Sequence, residues 1–486
     1  MPKIITDLDS WRKQAERIEV GKNLLYYKQS AGLSFDKAKL ASYEKQALEH
    51  SKAFLKSFGK EPRALFLMSV DAVGRAKTFK LQMKAHGVRS SKIVSTKFKL
   101  QGSKVNWGSW RQFTAQSDDS QARKELYDDF IEKSKFLTPL IEARFKGYRQ
   151  ALAEYDIDPL ALYLEIEKIS YERLTSFVDT LGSTLRPIFR DALDDYSKEI
   201  LGGKQAEYYD DFYFFRSRVF RQYEKHLPTK YEPVPKVLNT MKKMGLDASK
   251  VKVDSANRKG KSASAFCFPI KVPTDVRICY RKSNPLQNFS GVFHEFGHGI
   301  HGVSIKTNES YENKYLIAMG VAEIFSIFFE NLLHDKTFLQ EALGFTNETA
   351  VDITRRFRFN ELFFVAFYSA NSTMKLRYWK EQLSIEQANA LYSDQTERFM
   401  GIRYPGKYWQ LHHVMPEYFL YSPSYMIASV RAFELANLLR SRYGDRYWNE
   451  EKAGKDLYEL LSVGGGIDVD SFSKLDAAGY ANSLGQ

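Results

Sequence analysis

The spacing of apolar and charged residues predicts a chain built mainly from α-helices. Apolar residues recur every three or four positions, opposite charged faces, along four long segments. These segments are 35–58, 121–155, 165–198 and 347–378. Three shorter segments are typical of strands instead, namely 91–100, 263–271 and 275–281. Because the last two immediately precede a histidine-rich stretch, the pattern predicts a small β-sheet next to that stretch.

A strongly apolar helix is predicted over 316–333, and its only charged residues are Glu323 and Glu330. The two glutamates are seven positions apart, which places them two turns apart on one helix face. A carboxylate in such a helix needs a metal or a hydrogen-bonded partner, because burying an unpaired charge is costly. The two charges also argue against a membrane span, which requires about 18 or more apolar residues with few or no charges.

Composition sets outer bounds on the protein. Its 486 residues, 43% of them hydrophobic, are enough for a large core or two lobes. The first nine residues lack the charged start and apolar core of a signal peptide, and two cysteines suggest a reducing compartment. We therefore expect a cytoplasmic protein with free thiols at Cys267 and Cys279, which would lie opposite each other if the chain turned at Pro273.

The strongest chemical signal lies at 294–301, which reads His-Glu-Phe-Gly-His-Gly-Ile-His. In a helix, His294 and His298 lie one turn apart on the same face, so both imidazoles can reach one metal ion. Glu295 is rotated about 100° from His294, which directs its carboxylate beside the metal toward a bound water. Two nitrogen ligands, an open coordination position and a general base are the arrangement of a zinc peptidase.

A catalytic zinc needs a third protein ligand, and Glu323 is the best candidate. Nearer carboxylates, Glu309 and Glu312, lie in a polar stretch that is typical of a solvated loop. Glu330 is then expected to steady a ligand histidine by hydrogen bonding, with an ordinary exposed glutamate as the alternative. His301 lies on roughly the same face as His298, where it either lines the pocket or packs in the core.

The same region resembles the thimet oligopeptidase and oligoendopeptidase F family of zinc metallopeptidases. The resemblance rests on the spacing from His298 to Glu323 and on the helix Ala-Glu-Ile-Phe-Ser-Ile-Phe-Phe-Glu-Asn. It also rests on Gly-Lys-Ser-Ala-Ser-Ala-Phe-Cys at 260–267 and on the block 412–425, His-His-Val-Met-Pro-Glu-Tyr-Phe-Leu-Tyr-Ser-Pro-Ser-Tyr. It implies two helical lobes around a deep active-site channel, one zinc ion and short peptide substrates.

In that family a histidine and several tyrosines of the later block bind substrate and stabilise the tetrahedral oxyanion. By position, the resemblance assigns these roles to His413, Tyr418 and Tyr425. The family's further tyrosine falls at Ser422 here, with Tyr421 adjacent, and His412 is a further candidate for substrate contact. Imidazole and phenol groups suit this role because they donate hydrogen bonds to an oxygen that develops charge.

A second family, the zinc carboxypeptidase Taq type, is also similar. Asp275-Val-Arg-Ile resembles its Asp-x-Arg-x-Thr signature, and Tyr-Ser-Pro-Ser-Tyr at 421–425 resembles its Tyr-Phe-Pro-Thr-Tyr. Another signature is only partly present, with Leu411 in place of an aspartate and Val414 in place of a tryptophan. In a carboxypeptidase, Arg277 would be the leading candidate to bind the terminal carboxylate of the substrate.

The charge is unevenly distributed. The formal net charge is +13, and residues 72–116 are rich in lysine and arginine without a single acidic residue. Basic residues alternate there with Phe79, Phe98, Trp107 and Trp110, as in some nucleic-acid-binding proteins. No recognised nucleic-acid motif is present, however. We therefore favour a solvated face or a positive rim that attracts acidic peptides.

Together these patterns predict a mainly α fold: two helical lobes around a channel, with a small β-sheet next to the His-Glu-x-x-His helix. We expect an N-terminal helical, basic region at 1–118 and a catalytic region at 119–486, with the site motifs in 260–430. The predicted function is hydrolysis of internal bonds of short peptides by a zinc-activated water, with Glu295 as general base.

Two alternatives remain: a zinc carboxypeptidase that releases C-terminal residues, and a metal-stabilised helical binding protein with a basic surface. The intact Glu295 argues against the second, because a purely structural zinc needs no base. The predicted partners are short peptides, without a membrane or a nucleic acid. The sequence leaves the oligomeric state open.

Overall fold

The computed structural model describes residues 7–91, 97–100, 102–107, 109–214, 218–224, 232–262, 264–282, 285–411 and 418–485. The α-helices of these residues are α1 (Leu8–Ser30), α2 (Lys37–Ser57), α3 (Arg63–Ser91), α4 (Trp110–Gln116), α5 (Ser120–Lys133), α6 (Leu137–Ala153), α7 (Pro159–Glu167), α8 (Tyr171–Leu201), α9 (Asp211–Phe214), α10 (Arg221–Glu224), α11 (Pro233–Lys243), α12 (Pro285–Ser304), α13 (Tyr311–Tyr315), α14 (Met319–Glu330), α15 (Lys336–Glu341), α16 (Asn347–Lys380), α17 (Ile385–Met400), α18 (Tyr421–Tyr443), α19 (Glu451–Leu461) and α20 (Ala477–Ser483). The strands are β1 (Lys99–Leu100), β2 (Ser103–Lys104), β3 (Val251–Asp254), β4 (Phe266–Lys271) and β5 (Asp275–Cys279). The prediction of a mainly α fold with a small sheet just before the histidine helix is confirmed.

The chain forms two compact units, each assembled from segments that are distant in sequence. Unit 1 comprises 1–73, 223–354 and 427–476, and unit 2 comprises 74–222, 355–426 and 477–486. This grouping rests on contacts between residues, whereas the predicted division at 118 rests on composition. The division at 118 stays a prediction.

The long helices form where the apolar periodicity indicates them, with one interruption. The segment 121–155 consists of two helices, α5 and α6, rather than one. Pro139 lies in the first turn of α6, where its missing N–H costs nothing. In a continuous helix the ring of Pro139 would clash with the carbonyl group four residues earlier, at Lys135, so a single helix cannot run through 134–138. Apolar spacing alone does not show this break.

The three-stranded sheet of unit 1 has the order β3-β5-β4, with β3 parallel and β4 antiparallel to β5. Cys267 pairs with Ile278, and Phe266 pairs with Cys279. Because neighbouring residues point to opposite faces of a sheet, Cys267 and Cys279 lie on opposite faces. The expectation that a turn at Pro273 would place them opposite each other is therefore wrong. Both are free thiols, as predicted.

The predicted strand at 91–100 is confirmed only at Lys99–Leu100, which pairs with β2. Among the other described residues of this range, Ser91 is the last residue of α3, and 97–98 are not in a strand. Residues 92–96 lie outside the described part of the chain. The predicted apolar helix at 316–333 is observed as α14, followed by a short 3₁₀ turn over Asn331–His334. Among the described residues, no helix has the length and apolar character that crossing a membrane requires.

Candidate metal centre

Helix α12 presents two imidazoles toward the same point in unit 1. His294 and His298 are one turn apart, and their ring centroids are 5.0 Å from each other. The rest of this helix is anchored by apolar side chains such as Phe293, Phe296 and Ile300, which are fully buried. Burial of these neighbours fixes the orientation of the helix, so the histidine face is held toward the site.

Helix α14 brings Glu323 to the same point. One carboxylate oxygen, Oε2, lies 3.3 Å from His294 Nε2 and 3.5 Å from His298 Nε2. One ligand atom from each of the three residues lies within 4.8 Å of the others. Two imidazole nitrogens and one carboxylate oxygen are the donor set of a catalytic zinc site with an open position. The residues that the sequence singled out as ligands are thus brought together.

The two helices approach closely because α12 has a glycine where they cross. A methyl group on Gly297 would lie 2.3 Å from the carbonyl oxygen of Phe325 and 2.4 Å from Ser326 Cα. No side chain larger than hydrogen fits at that separation without a shift of the backbone. Gly297 therefore allows the approach that puts Glu323 beside the two histidines.

A serine hydroxyl supports the carboxylate of Glu323. Ser326 Oγ lies 2.9 Å from Glu323 Oε2, and the side chain of Ser326 is fully buried. Burial by itself would raise the pKa of Glu323. The positive potential of His298 and the hydrogen bonds with both histidines outweigh it and hold that pKa well below its usual value.

Glu330 binds the opposite side of the His294 ring. Its Oε2 lies 2.8 Å from His294 Nδ1, and its Oε1 accepts a hydrogen bond from the hydroxyl of Ser290. When Nδ1 donates its hydrogen to Glu330, the Nε2 lone pair of His294 faces Glu323 and can bind a metal. Glu330 therefore lies where the sequence led us to expect a group that steadies a ligand histidine.

The site favours a cation. Burial would lower the pKa of His294, but hydrogen bonds and charge attraction from Glu323 and Glu330 raise it well above its usual value. Two carboxylates thus stabilise positive charge at this ring. A divalent metal would satisfy the same negative potential.

Glu295 lies beside the ligands with a buried carboxylate. Burial raises its pKa above the usual glutamate value, against the lowering effect of His294 and His298. Burial, together with the charge of Glu295, raises the pKa of Cys267 in β4. A carboxylate with a raised pKa is a better proton acceptor near neutral pH than an ordinary glutamate.

His301 and Arg277, which the sequence also suggested for the site, contact other side chains in the structure. His301 is buried, its ring packs against Phe325 with centroids 4.7 Å apart, and burial lowers its pKa to about 3. It is therefore an uncharged part of the packing behind the site. The guanidinium of Arg277 makes two hydrogen bonds with Asp275, at 2.9 and 2.7 Å, and lies 5.0 Å from the centre of the Tyr27 ring.

The residues predicted for the oxyanion belong to unit 2 or lie outside the described part of the chain. His412 and His413 are outside it. Tyr418 is 46% exposed, and the rings of Tyr421 and Tyr425 in α18 are 5.7 Å apart. Tyr425 also packs against Phe364, with centroids 4.9 Å apart. Their roles stay predictions.

Three residues of the centre were missed in the sequence. Gly297, Ser290 and Ser326 carry no metal-binding group, so a search for ligands passes over them. A positional signal does exist: Ser290 is one turn before His294 on the same face, and Ser326 is three residues after Glu323. Neither spacing is specific enough to identify a contact without the packing of α12 against α14.

Comparison with known proteins decides the family. A model of peptidase family M3 matches residues 113–475. The chain belongs to this family. Its members are zinc metallopeptidases with a single zinc ion, so the predicted zinc and the predicted peptidase class are confirmed. The resemblance to the thimet oligopeptidase and oligoendopeptidase F family is confirmed at the level of family M3.

Solved structures with a similar fold include a protein described as an oligoendopeptidase F from Bacillus anthracis str. Ames. It is 15% identical with a TM-score of 0.64, and the match covers 96% of this chain and 88% of that one. PZ peptidase A with an inhibitor is also 15% identical, with a TM-score of 0.61 and coverages of 99% and 89%. BsuCP has the same identity, a TM-score of 0.58 and coverages of 98% and 97%. No curated protein gives a significant sequence match.

Proposed function

We propose that this M3 metallopeptidase hydrolyses internal bonds of short peptides, with His294, His298 and Glu323 as its zinc ligands. The observation that carries the ligand set is the convergence of their three ligand atoms within 4.8 Å of one another. The choice of internal bonds is supported by the resemblance of the Glu323 helix to the oligoendopeptidase F family. Zinc bound by these side chains supplies Lewis acidity toward a water molecule and the scissile carbonyl. The remaining steps belong to residues of the chain.

Glu295 is the proposed general base. Its buried carboxylate accepts the proton of the attacking water, and the same group then delivers the proton to the leaving amine. Glu330 keeps the imidazole of His294 in the tautomer that leaves Nε2 free for the metal. In this proposal Glu295 transfers the proton, whereas Glu330 orients a ligand histidine.

His413, Tyr418, Tyr421 and Tyr425 are proposed to bind the substrate and to donate hydrogen bonds to the oxyanion, with His412 as an additional substrate contact. The support is their match in position to the family's substrate-binding block together with their chemistry as donors. Removing one such donor typically costs about 10²–10³-fold in kcat. Replacement of Tyr425 by phenylalanine should therefore lower kcat more than it changes KM.

Strand β4 is proposed to hold the peptide backbone. It lies at the edge of its sheet, where the described part of the chain places no further strand, and it contacts α12. An extended peptide can add to such an edge through main-chain hydrogen bonds, which do not depend on side-chain identity. This mode of binding suits a peptidase that accepts varied short sequences.

The deciding experiment uses a peptide with a blocked C-terminus. A short peptide is prepared as the free acid and as the C-terminal amide, and its products are identified by mass spectrometry. Cleavage of an internal bond in both forms supports the proposal. Glu295→Gln protein serves as the control, because its preparation shares any contaminating peptidase but lacks the base.

The opposite result identifies a carboxypeptidase. In that case the amide abolishes hydrolysis, and the free acid is shortened one residue at a time from its C-terminus. Arg277 remains the candidate for binding the terminal carboxylate, although Asp275 already occupies its guanidinium. Arg277→Ala would then raise KM for the free-acid peptide. If zinc-loaded protein cleaves neither form of the peptide, the result contradicts the proposed cleavage of internal bonds.

A further inference from the structure

Helix α12 carries a second group in contact with Glu330, besides His294. The hydroxyl of Ser290 donates a hydrogen bond to Glu330 Oε1, while His294 Nδ1 lies 2.8 Å from Glu330 Oε2. Ser290 and His294 are four residues apart, so their side chains lie one above the other on the same helix face. The two side chains together engage both oxygens of a single carboxylate.

This contact determines how freely the carboxylate can rotate. A carboxylate held through one oxygen can turn about its side-chain bonds, whereas one held through both oxygens has a single orientation. Glu330 is only 23% exposed, so water has limited access to replace a lost partner. Loss of the Ser290 hydroxyl would leave Oε1 without this donor and loosen the group that orients His294.

We propose that Ser290 is a positioning residue for zinc binding, which acts on His294 through Glu330. The inference rests on the proposed ligand set, because it requires His294 to bind the metal. Ser290 is not one of the three proposed ligands. Its effect is to keep the imidazole in the orientation and tautomer that metal binding needs, so that less of the binding free energy is spent on ordering the ring.

The primary test measures zinc affinity by competition with a chromophoric chelator, using zinc alone and the full chain. Ser290→Ala should weaken zinc binding by roughly threefold to tenfold, less than the 10–100-fold typical of a residue that contacts a ligand directly. Ser290→Thr retains a hydroxyl and should bind zinc within about twofold of the wild type. Ser304→Ala, the same change in the last turn of α12, is the matched control.

A double-mutant cycle tests the route through Glu330. In a Glu330→Ala background, Ser290→Ala should have almost no further effect on zinc affinity, because the group on which Ser290 acts is gone. An equal loss in both backgrounds would show that Ser290 acts by another route and would overturn the proposal. Unfolding curves of the metal-free Ser290→Ala and Ser304→Ala proteins should show that both are folded at the temperature of the zinc titration.

Failure of this inference can be told from failure of the proposed function. If His294→Ala abolishes tight zinc binding while Ser290→Ala binds as well as the wild type, the ligand set stands and the inference is wrong. If His294→Ala still binds zinc tightly and cleaves peptides, the ligand set itself is wrong. If Glu330→Ala fails to fold, the contrast between Ser290→Ala and Ser290→Thr still decides, since only a hydroxyl restores the donor.

Discussion

At the scale of single residues, the centre consists of ionisable side chains whose surroundings assign them different protonation. Glu323 is held ionised by the two histidines, whereas burial makes the carboxylate of Glu295 more basic than usual. Both lie on the helix pair that holds the proposed ligands, so the difference comes from their neighbours and not from residue type. A ligand carboxylate must stay charged to bind a metal, and a general base must be able to accept a proton.

Glu295→Gln should preserve the fold and zinc binding but lower kcat by about 10²–10⁴-fold, the range typical of general acid–base groups. Glutamine has nearly the same shape as glutamate and cannot accept the proton. Zinc content by atomic absorption and turnover of a fluorogenic peptide are the two measurements. A variant that binds one zinc and turns over at nearly the wild-type rate would remove Glu295 from the mechanism.

Lys375 in α16 is a buried cation of unit 2. Its side chain is fully buried, and its amino group has no hydrogen-bond partner among the described residues. Its Nζ atom lies 5.4 Å from the centre of the Phe419 ring. Burial lowers the pKa of Lys375 from 10.5 to about 7. A folded-state pKa below the unfolded value means that protonation favours the unfolded chain.

Lys375→Met should therefore stabilise the protein near neutral pH, by roughly 2–4 kcal/mol in the free energy of unfolding. The penalty from Lys375 is absent above about pH 10.5, grows as the pH falls toward about 7, and is constant below it. The gain from Lys375→Met should accordingly shrink between about pH 7 and pH 10. Denaturant titrations at several pH values measure this gain in stability. Lys198→Met is the control, because the side chain of Lys198 is exposed. A gain that is independent of pH would refute the explanation.

At the scale of elements, the centre depends on one helix crossing. Helices α12 and α14 run antiparallel, because Ser290 contacts Glu330 near the end of α14 while His298 lies beside Glu323 near its start. Gly297 sets their separation, since it meets the backbone of α14 directly. Serine at 326 is small enough for the same crossing and also supplies a hydroxyl to Glu323.

Gly297→Ala should displace α14 and weaken zinc binding by more than about tenfold, with a loss of roughly 1–3 kcal/mol in stability from overpacking. Gly299→Ala is the control on the same helix. A methyl group there meets only side-chain atoms of Val251 and Ile278, at 3.1 to 3.3 Å, which can move slightly. Zinc competition and denaturant unfolding of the metal-free proteins measure both effects. Equal zinc affinity for the two variants would show that the crossing does not determine the ligand geometry.

At the scale of the whole molecule, zinc should couple the centre to overall stability. A ligand that binds only the folded state stabilises it by about 2.7 kcal/mol at a concentration 100 times its Kd. The ligands come from α12 and α14, which are separate elements of unit 1, so the metal acts as a link between them. The unfolded chain offers no preformed site of this kind.

Removal of zinc by a chelator should therefore lower the unfolding temperature of the wild type, by roughly 3–6 °C. The unfolding temperature should return to its original value when zinc is added back, because the ligands are intact. His298→Ala lacks one proposed ligand, so its unfolding temperature should hardly respond to chelator or zinc. Calorimetry of both proteins tests this, and a wild-type transition that stays in place after zinc has been stripped would contradict the coupling.

The uneven charge also belongs to the whole molecule. Within unit 2, Lys77 pairs with Glu154, the residue after α6, and Lys97 pairs with Glu125 of α5, so two acidic residues offset part of the basic segment 72–116. The segment is therefore less positive in the folded chain than in the sequence. This local neutralisation favours a solvated face over a nucleic-acid surface.

The sequence by itself determined the helical character, the small sheet before α12 and the chemistry of the centre. These features depend on periods and spacings that are local: apolar residues every three or four positions, histidines one turn apart, and a carboxylate isolated in an apolar helix. His294, Glu295 and His298 are within one turn of a single helix. Their relation follows from helix geometry without knowledge of any other part of the chain.

Tertiary structure alone decided which groups complete the centre and how the segments combine. Ser290 meets Glu330 across forty positions, and Ser326 with Gly297 joins the helices at a crossing whose distance no local rule supplies. The register that separates Cys267 from Cys279 is likewise a property of the paired strands. Such contacts depend on how the buried faces of distant segments fit together, because close packing is a collective property of side-chain shape and not of spacing along one helix.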